Sequence, residues 1–300
     1  KNEPGKCFYT HMLNPDGGIE ADLTVVCIEN NYFRIISSAA TRERDKFHIN
    51  KHLPKNIELK DITDDLCVFG LFGPKSRDLL KTLSEDNFEN DQFRFGFAKF
   101  ITIDGVKIWT QRLSYVGELG YELYVDLKDT KKIYELLIEK GKDFNLSNCG
   151  MHAMDIMRME SGFLHWGHDI SPEENQYQAG LSFTISNKKN VDFIGKAALE
   201  KIGKEKIKTR FAMFTLKDSK PGEPLLLHDE PIYLEDKIIG RSTSGNYSFN
   251  FKKNLTFGYI NNDFSYEKLK DNKLFIEVEK KKYEIELINK PLKQTNFKGN

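Results

Sequence analysis

Residues 9–25 read YTHMLNPDGGIEADLTV, and this stretch decides much of the expected fold. Two adjacent glycines, Gly17 and Gly18, follow an Asn-Pro-Asp run, which is a composition typical of a tight turn. The β-branched run DLTVVCIE (22–29) comes next, and an Asn-Asn pair separates it from YFRIISS (32–38). The pattern predicts two strands joined by a short turn.

Two acidic residues lie at the beginning of the first of these strands. Side chains alternate between the faces of a strand, so Glu20 and Asp22 are expected on one face. The residues alone leave two interpretations open. The acids are either solvated side chains after a hairpin turn, which the composition favours, or a functional pair of carboxylates.

Helical and strand patterns alternate through the rest of the first 200 residues. Asp104–Gly105 between two β-type runs predicts a hairpin over 99–111. Proline at position 74 is expected in the first turn of a helix. The remaining predicted elements are a surface helix at 39–53, strands at 57–63 and 66–72, and helices at 74–83, 130–141 and 150–162.

The pattern changes after about residue 205, where short strands follow each other without a helical segment between them. This spacing predicts a small antiparallel barrel or sandwich. The lysine-rich stretch 200–208 is the expected linker, which gives a division into residues 1–204 and 205–300. The strand-like runs are TRFAMFTL, PLLLH, PIYLED, KIIGRSTSG, LTFGYI, KLFIEVE and KYEIELI.

Composition excludes several classes of protein. The 300 residues carry 45 basic and 45 acidic side chains, which argues against a broad nucleic-acid surface. No apolar run approaches the roughly 18 residues of a membrane span. The four cysteines form no C-x-x-C pair, and HWGH (165–168) lacks the further ligands of a zinc motif, so no metal site is predicted.

The segment SYVGELGYELYV (114–125) places one carboxylate within an aromatic strand. Burying Glu122 between Tyr121 and Tyr124 is costly unless hydrogen-bond donors meet it. The alternative is that Glu122 faces water on the polar side of an alternating strand.

Taken together, the segments resemble the aminomethyltransferase family, which comprises the T-protein of the glycine cleavage system and the folate-binding modules of dimethylglycine and sarcosine dehydrogenases. The details of GGIEADLTV, GFLHWGHDI and QYQAGLSF are more similar to the dehydrogenase modules than to the free T-protein. The motifs that carry the resemblance occur in the family's order and are YTHMLNPDGGIEADLTV, LFGPKSRDLL, SYVGELGYELYV, GMHAMDIMRMESGFLHWGHDI, DFIGKAAL and GRSTSGNYSFNFKKNLTFGYI.

The resemblance implies a three-lobed, cloverleaf-like α+β fold that binds tetrahydrofolate and ends in a C-terminal antiparallel β-barrel. Residues 1–204 then correspond to the folate-binding aminomethyltransferase-like region and residues 205–300 to the barrel. Relatives have further first-lobe residues before the YTHML segment, so the N-terminal lobe is expected to be incomplete in this chain.

The resemblance also implies roles for individual residues. Asp22 stands at the position of the family's catalytic carboxylate, and Tyr9 at that of a folate-contacting tyrosine. Glu122 corresponds to the carboxylate that binds the pterin, since a planar carboxylate accepts two parallel N–H bonds from an amino-pyrimidinone edge. Tyr115 and Trp166 are candidate walls for the flat ring, and core positions are equally compatible with both.

Arg241 is a further candidate, for the glutamate tail of the folate. At two positions the sequence differs from the T-protein pattern. Ala21 replaces the first of two consecutive acids, and Met154 replaces an arginine, which counts against a lipoyl-bound donor. Arg158, one helical turn later, is expected to form a structural ion pair.

The expected function is therefore one-carbon transfer that forms 5,10-methylenetetrahydrofolate from a dimethylglycine- or sarcosine-type N-methyl amine. The chain would be the folate module of a flavin-dependent demethylating dehydrogenase, with FAD on a separate upstream domain. The alternatives are a glycine cleavage aminomethyltransferase or related demethylase and, from another class, a non-catalytic folate-binding scaffold.

The expected partners are a small methylamine substrate and a flavin dehydrogenase domain or subunit, with neither nucleic acid nor membrane. The expected location is the cytoplasm, with the mitochondrial matrix as the alternative.

Overall fold

The computed structural model describes residues 3–186 and 191–299. Strands provide most of the regular structure, in agreement with the β-branched and aromatic runs of the sequence. The strands are β1 Cys7–Leu13, β2 Ile19–Glu29, β3 Tyr32–Ile36, β4 Leu66–Phe72, β5 Ala98–Ile103, β6 Val106–Gln111, β7 Gly120–Asp126, β8 Thr209–Leu216, β9 Pro231–Leu234, β10 Lys237–Ser248, β11 Lys253–Asn261, β12 Leu274–Val278 and β13 Lys281–Ile288. The helices are α1 Arg42–His52, α2 Ser76–Leu83, α3 Thr130–Gly141, α4 Met151–Glu160, α5 Lys196–Ile202 and α6 Tyr266–Lys270. Within the described residues, no helix is both long enough and apolar enough to cross a membrane.

The chain forms two compact units, each made of separate stretches of sequence. The first contains residues 3–9, 23–150 and 295–299. The second contains residues 10–22, 151–186 and 191–294. The division at residue 204 that the sequence suggested stays a prediction. It cuts the chain once, whereas the two units are defined by spatial contacts and each contains separate stretches of sequence.

The first unit contains an antiparallel sheet in the order β4-β7-β6-β5. Alternation along β7 divides its residues between the two faces. Tyr121, Leu123 and Val125 join the core that also holds apolar residues of α2 and α3. Tyr124 belongs instead to a second cluster that includes Val26 of β2. Glu122 therefore points to the same side as Tyr124, away from the two helices.

The second unit contains a closed antiparallel barrel in the order β10-β11-β8-β13-β12-β9. Closure removes the free edges that an open sheet of this size would leave. Its apolar core includes Phe214, Ile232 and Ile276, none of which has measurable exposure. The predicted C-terminal β-barrel and the α+β class are confirmed.

Several local predictions hold, and the 99–111 hairpin is the clearest. Asp104 and Gly105 both adopt positive φ angles, 47° and 77°, as a two-residue hairpin turn of the favoured type requires. The turn after Glu29 likewise places Asn31 at a φ of 65°.

Four local predictions were wrong. Residues 57–63 form no strand, because the segment is mostly exposed and the side chain of Asp61 accepts the backbone N–H of Thr63 instead. PLLLH (224–228) also forms no strand. Helix α2 begins at Ser76 rather than at the proline, and α6 lies among the barrel strands, where its N-terminal Ser265 accepts the backbone N–H of Lys268.

Candidate functional site

The turn before β2 is built so that only glycine fits at its end. The side-chain oxygen of Asn14 accepts the backbone N–H groups of Asp16 and Gly18 at 3.0 and 2.9 Å. Gly17 has a φ of +86°. A Cβ atom on Gly18 would lie 1.8 Å from the carbonyl oxygen of Pro172, so no larger residue fits without moving the backbone. The turn therefore fixes where β2 begins.

The first residues of β2 are held on both sides of the backbone. The N–H of Ile19 donates to the carbonyl of Glu174 at 2.9 Å, and its carbonyl accepts the indole N–H of Trp166 at 3.0 Å. Glu20 and Asp22 follow on one face of the strand and are half-buried. A carboxylate on a braced strand has a defined direction, which a catalytic group needs.

Trp166 packs as a partly buried residue against the core of the second unit, beside Leu13 and Ile19. Its hydrogen bond to Ile19 connects it to the strand that carries Asp22. Its role as a wall for a flat ring stays a prediction.

Arg158 on α4 is the centre of a buried ionic network in the same unit. We call Asp155, Arg158, Asp169, Thr243 and Ser244 the Arg158 network. The guanidinium donates to Asp169 at 2.5 Å, to Asp155 at 2.9 Å and to Ser244 at 2.8 Å. Thr243 and Ser244 also donate to Asp169, at 2.5 and 2.8 Å. The prediction that Arg158 forms a structural ion pair is confirmed.

The first unit contains a second buried polar group, on the side of its sheet that faces away from α2 and α3. We call Arg34, Trp109, Gln111, Glu122 and Tyr124 the Glu122 face. Strand register places Gln111 opposite Glu122 and Trp109 opposite Tyr124. The hydroxyl of Tyr124 donates to Glu122 at 2.7 Å. The carboxylate of Glu122 thus lies among aromatic and amide groups. It does not project into water from the polar face of a strand, which was the alternative interpretation.

Burial shapes the electrostatics of this face. It raises the pKa of the Glu122 carboxyl, although the hydrogen bond from Tyr124 acts in the opposite direction. Burial and the nearby charge of Glu122 raise the pKa of Cys7 to about 12. The Cys7 thiol therefore stays protonated, and it donates to the side-chain oxygen of Gln111 at 3.8 Å.

Several donors on the Glu122 face have no hydrogen-bond partner among the residues that the structure describes. They are the Nε2 atom of Gln111, the Nε1 atom of Trp109, and the Nε and Nη1 atoms of Arg34. The Arg34 guanidinium lies 5.7 Å from the ring centroid of Trp109 and 5.9 Å from that of Tyr124. Unmet buried donors are rare in folded proteins and call for water or a ligand.

The sequence did not point to Gln111, Trp109 or Arg34. Gln111 shows no exposed surface, and nothing in the run KIWTQR distinguishes it from an ordinary strand residue. The alternation of side chains along β6 could have placed Gln111 and Trp109 on one face of the strand. It indicates their proximity to Glu122 and Tyr124 only once the register of β6 against β7 is known.

The other predicted site residues are divided between the units. Tyr9 and Tyr115 belong with Glu122 to the first unit; Tyr9 is exposed and Tyr115 is half-buried. Arg241 belongs with Asp22 and Trp166 to the second, where it is exposed and paired with Asp229. The roles of these residues stay predictions.

Comparisons with known proteins give the family. A family model described as the GCVT N-terminal domain matches residues 1–189, and one described as the glycine cleavage T-protein C-terminal barrel domain matches residues 210–293. The chain belongs to the glycine cleavage T-protein family. Its members are folate-dependent aminomethyl and methyl transferases, so the predicted class of enzyme and the predicted cofactor, tetrahydrofolate, are confirmed at the level of the family.

Individual relatives fall into two groups. Human mitochondrial dimethylglycine dehydrogenase is 33% identical over 84% of this chain, but the match covers only 29% of that protein. The aminomethyltransferase of Alkaliphilus metalliredigens is 32% identical over 99% of this chain, and the match covers 78% of that protein. The glycine cleavage aminomethyltransferase T of Bartonella henselae has the same fold, with a TM-score of 0.84 over 98% of this chain and 78% of that chain at 20% identity.

The Glu122 face fits the cofactor that the family uses. The amino-pyrimidinone edge of a pterin carries N–H donors for a carboxylate and a carbonyl acceptor for an amide N–H. Glu122 provides the carboxylate, and Gln111 provides an amide donor that lacks a partner within the described chain.

Proposed function

We propose that the chain transfers a one-carbon unit to tetrahydrofolate, forming 5,10-methylenetetrahydrofolate. The observation that carries this proposal is the Glu122 face, where a half-buried carboxylate lies beside buried donors that are still unmet. Unmet buried donors occur elsewhere too, at the Nε atoms of Arg77 and Arg112, but on the Glu122 face donors of three residues are grouped with a carboxylate.

Glu122 is the proposed binding group for the pterin. Its carboxylate can accept two parallel N–H bonds, and bonds to an ionised acceptor are roughly twice as strong as neutral ones. Burial raises the pKa of Glu122, so its anionic form is disfavoured until donors arrive. Binding of a donor-rich ring edge offsets that cost.

Asp22 is the proposed catalytic residue. Bound tetrahydrofolate supplies the nucleophilic N5 nitrogen. The half-buried Asp22 carboxylate orients that nitrogen and accepts its proton as the new carbon–nitrogen bond forms, which is general-base work that contributes typically about 10²–10⁴ in rate. The bracing of β2 by Trp166 keeps the carboxylate in place.

The proposed donor is an N-methyl amine of the dimethylglycine or sarcosine type. A flavin on a separate domain would oxidise it to an iminium while the flavin is reduced. N5 would attack the iminium carbon, and the demethylated amine would leave as N10 forms the second bond to that carbon. The support is the dehydrogenase relatives, of which this chain spans 29% and 33% of the length in the human and rat proteins. In this proposal the flavin domain is the partner of the chain.

A glycine-cleavage-type aminomethyl donor is the second candidate. The match to the Alkaliphilus aminomethyltransferase favours it, because that match covers nearly the whole chain and most of the relative. Met154 on α4 counts against it, since the T-protein pattern has an arginine at this position.

The test is an Asp22→Asn variant, with Glu20→Gln on the same face of β2 as the matched control. Asp22→Asn should bind tetrahydrofolate with unchanged affinity and lose one-carbon transfer, while Glu20→Gln keeps both. Calorimetry measures binding, and formation of the methylene product from an enzymatically oxidised methylamine, above the uncatalysed rate, measures transfer. Lost binding together with normal turnover per bound folate would contradict the assignment.

A further inference from the structure

Residues 295–299 return to the first unit after the barrel strands and run along the loop 113–119, which joins β6 to β7. We propose that this segment, here called the strap, positions the 113–119 loop for tetrahydrofolate. The inference rests on the proposed function, because the loop carries Tyr115 and leads directly into the strand of Glu122.

A buried arginine anchors the strap at the start of the loop. Arg112 is 1% exposed and immediately follows β6. Its Nη2 atom donates to the carbonyls of Phe297 and Lys298 at 2.9 and 3.3 Å. Arg77 donates to the same Lys298 carbonyl at 2.6 Å. Two guanidinium groups therefore bind the backbone of the strap.

The strap also contacts the middle and the end of the loop. The backbone N–H of Asn296 donates to the carbonyl of Gly117 at 2.8 Å. Gly117 has a φ of +71°, so the loop turns sharply at this bond. Gly299 lies so close to Leu119 that an added Cβ would be 2.7 Å from its Cδ2 atom. The strap thus contacts the loop at Gly117 and Leu119, and Arg112 just before it.

An aromatic stack also joins the strap to the rest of the first unit. The rings of Phe95 and Phe297 are 4.3 Å apart between centroids and 13° from parallel. The stack therefore adds a side-chain contact between the strap and the body of the unit. Its side chain can be changed without altering any loop residue or any candidate folate contact.

The physical consequence concerns the entropy of binding. A loop that is ordered before the ligand arrives loses less conformational freedom on binding, and the ligand binds more tightly. Phe297 is in this sense a positioning residue, because it acts on tetrahydrofolate only through the loop.

The test compares Phe297→Ala with two controls in the full chain. Phe297→Tyr keeps an aromatic ring for the stack, and Lys298→Ala keeps the carbonyl that both arginines bind while removing an exposed side chain. Hydrogen exchange of residues 113–119 is measured without ligand, with the barrel strands as an internal reference. Tetrahydrofolate affinity is measured by calorimetry.

In Phe297→Ala, exchange in the loop should accelerate while exchange in the barrel stays unchanged. The dissociation constant for tetrahydrofolate should rise roughly three- to tenfold, the cost of ordering about one additional side chain on binding. Phe297→Tyr and Lys298→Ala should match the wild-type chain in loop exchange and in tetrahydrofolate affinity. Phe95→Ala removes the same stack from the other side and replaces Phe297→Ala if that variant does not fold.

Unchanged loop exchange in Phe297→Ala, or faster exchange with unchanged affinity, would overturn the proposal. A failure of the unchanged chain to bind tetrahydrofolate would contradict the proposed function instead. The exchange measurement would still decide, in that case, whether the strap orders the loop.

Discussion

The Arg158 network and the Glu122 face are both buried and polar, yet their hydrogen bonds are satisfied to different degrees. Each carboxylate oxygen of Asp169 accepts two hydrogen bonds, one pair from Thr243 and Ser244 and the other from Arg158 and the backbone N–H of His165. On the Glu122 face, by contrast, donors of three residues lack partners within the described part of the chain.

The difference is the one expected between a structural cluster and the binding surface that we propose. A buried charge that has all of its partners contributes to the architecture, and removing one partner leaves another group uncompensated. A buried surface with unmet donors is poorly suited to the unliganded state, so it gains from a ligand. The two clusters should therefore respond in opposite ways to mutation.

The largest effect is expected from Asp169→Asn in the Arg158 network. The change leaves the guanidinium of Arg158 without its closest buried counter-charge, which should lower the free energy of unfolding by about 3–5 kcal/mol. Denaturant unfolding measures it. Asp155→Asn is the control, because the Asp155 side chain is 32% exposed and its loss should cost less. If Asp169→Asn lowered the free energy of unfolding by less than about 1 kcal/mol, the Arg158 network would not have the structural role given to it in this comparison.

A smaller effect of opposite sign is expected from Gln111→Leu on the Glu122 face. Leucine has a similar size and removes the unmet amide donor, so the free energy of unfolding should stay unchanged or rise. Tetrahydrofolate affinity should fall roughly three- to tenfold, because one hydrogen bond to the ring edge is lost. Lower stability with intact affinity would place Gln111 with the structural cluster instead.

The smallest effect concerns the pH dependence of stability. The folded-state pKa of Glu122 lies above its ordinary value of 4.5, so between these two values the folded chain binds more protons than the unfolded chain. Stability of the unliganded protein should therefore fall as pH rises through that window. Glu122→Gln cannot titrate, and the difference in unfolding free energy between the two proteins should become independent of pH below pH 4.5. A difference that grows towards low pH would have the wrong sign.

Much of the fold could be predicted because its signals are local. The Asp104–Gly105 hairpin follows from the left-handed φ angles that these residue types tolerate. The barrel followed from regularly spaced β-type runs, and its closure is confirmed. The false strand at 57–63 shows the limit, because a β-type composition does not supply a partner strand.

The candidate site could be predicted only where a motif carried it. Asp22 and Glu122 lie in segments that resemble the family's motifs, and the sequence offered both as candidates. Gln111 and Arg34 acquire their significance from the register of β6 against β7 and from a cation placed over two rings. Both are tertiary facts that residue types and spacing do not encode.

The most direct test of the account is calorimetric titration of the chain with tetrahydrofolate, repeated on Glu122→Ala. Glu139→Ala, an exposed acid on α3 of the same unit, is the matched control. We expect binding to the wild-type chain and to Glu139→Ala, and a loss of affinity of about 10- to 100-fold in Glu122→Ala, as is typical of hydrogen bonds to a charged group. Equal affinity of all three proteins would contradict the central claim that Glu122 binds the pterin.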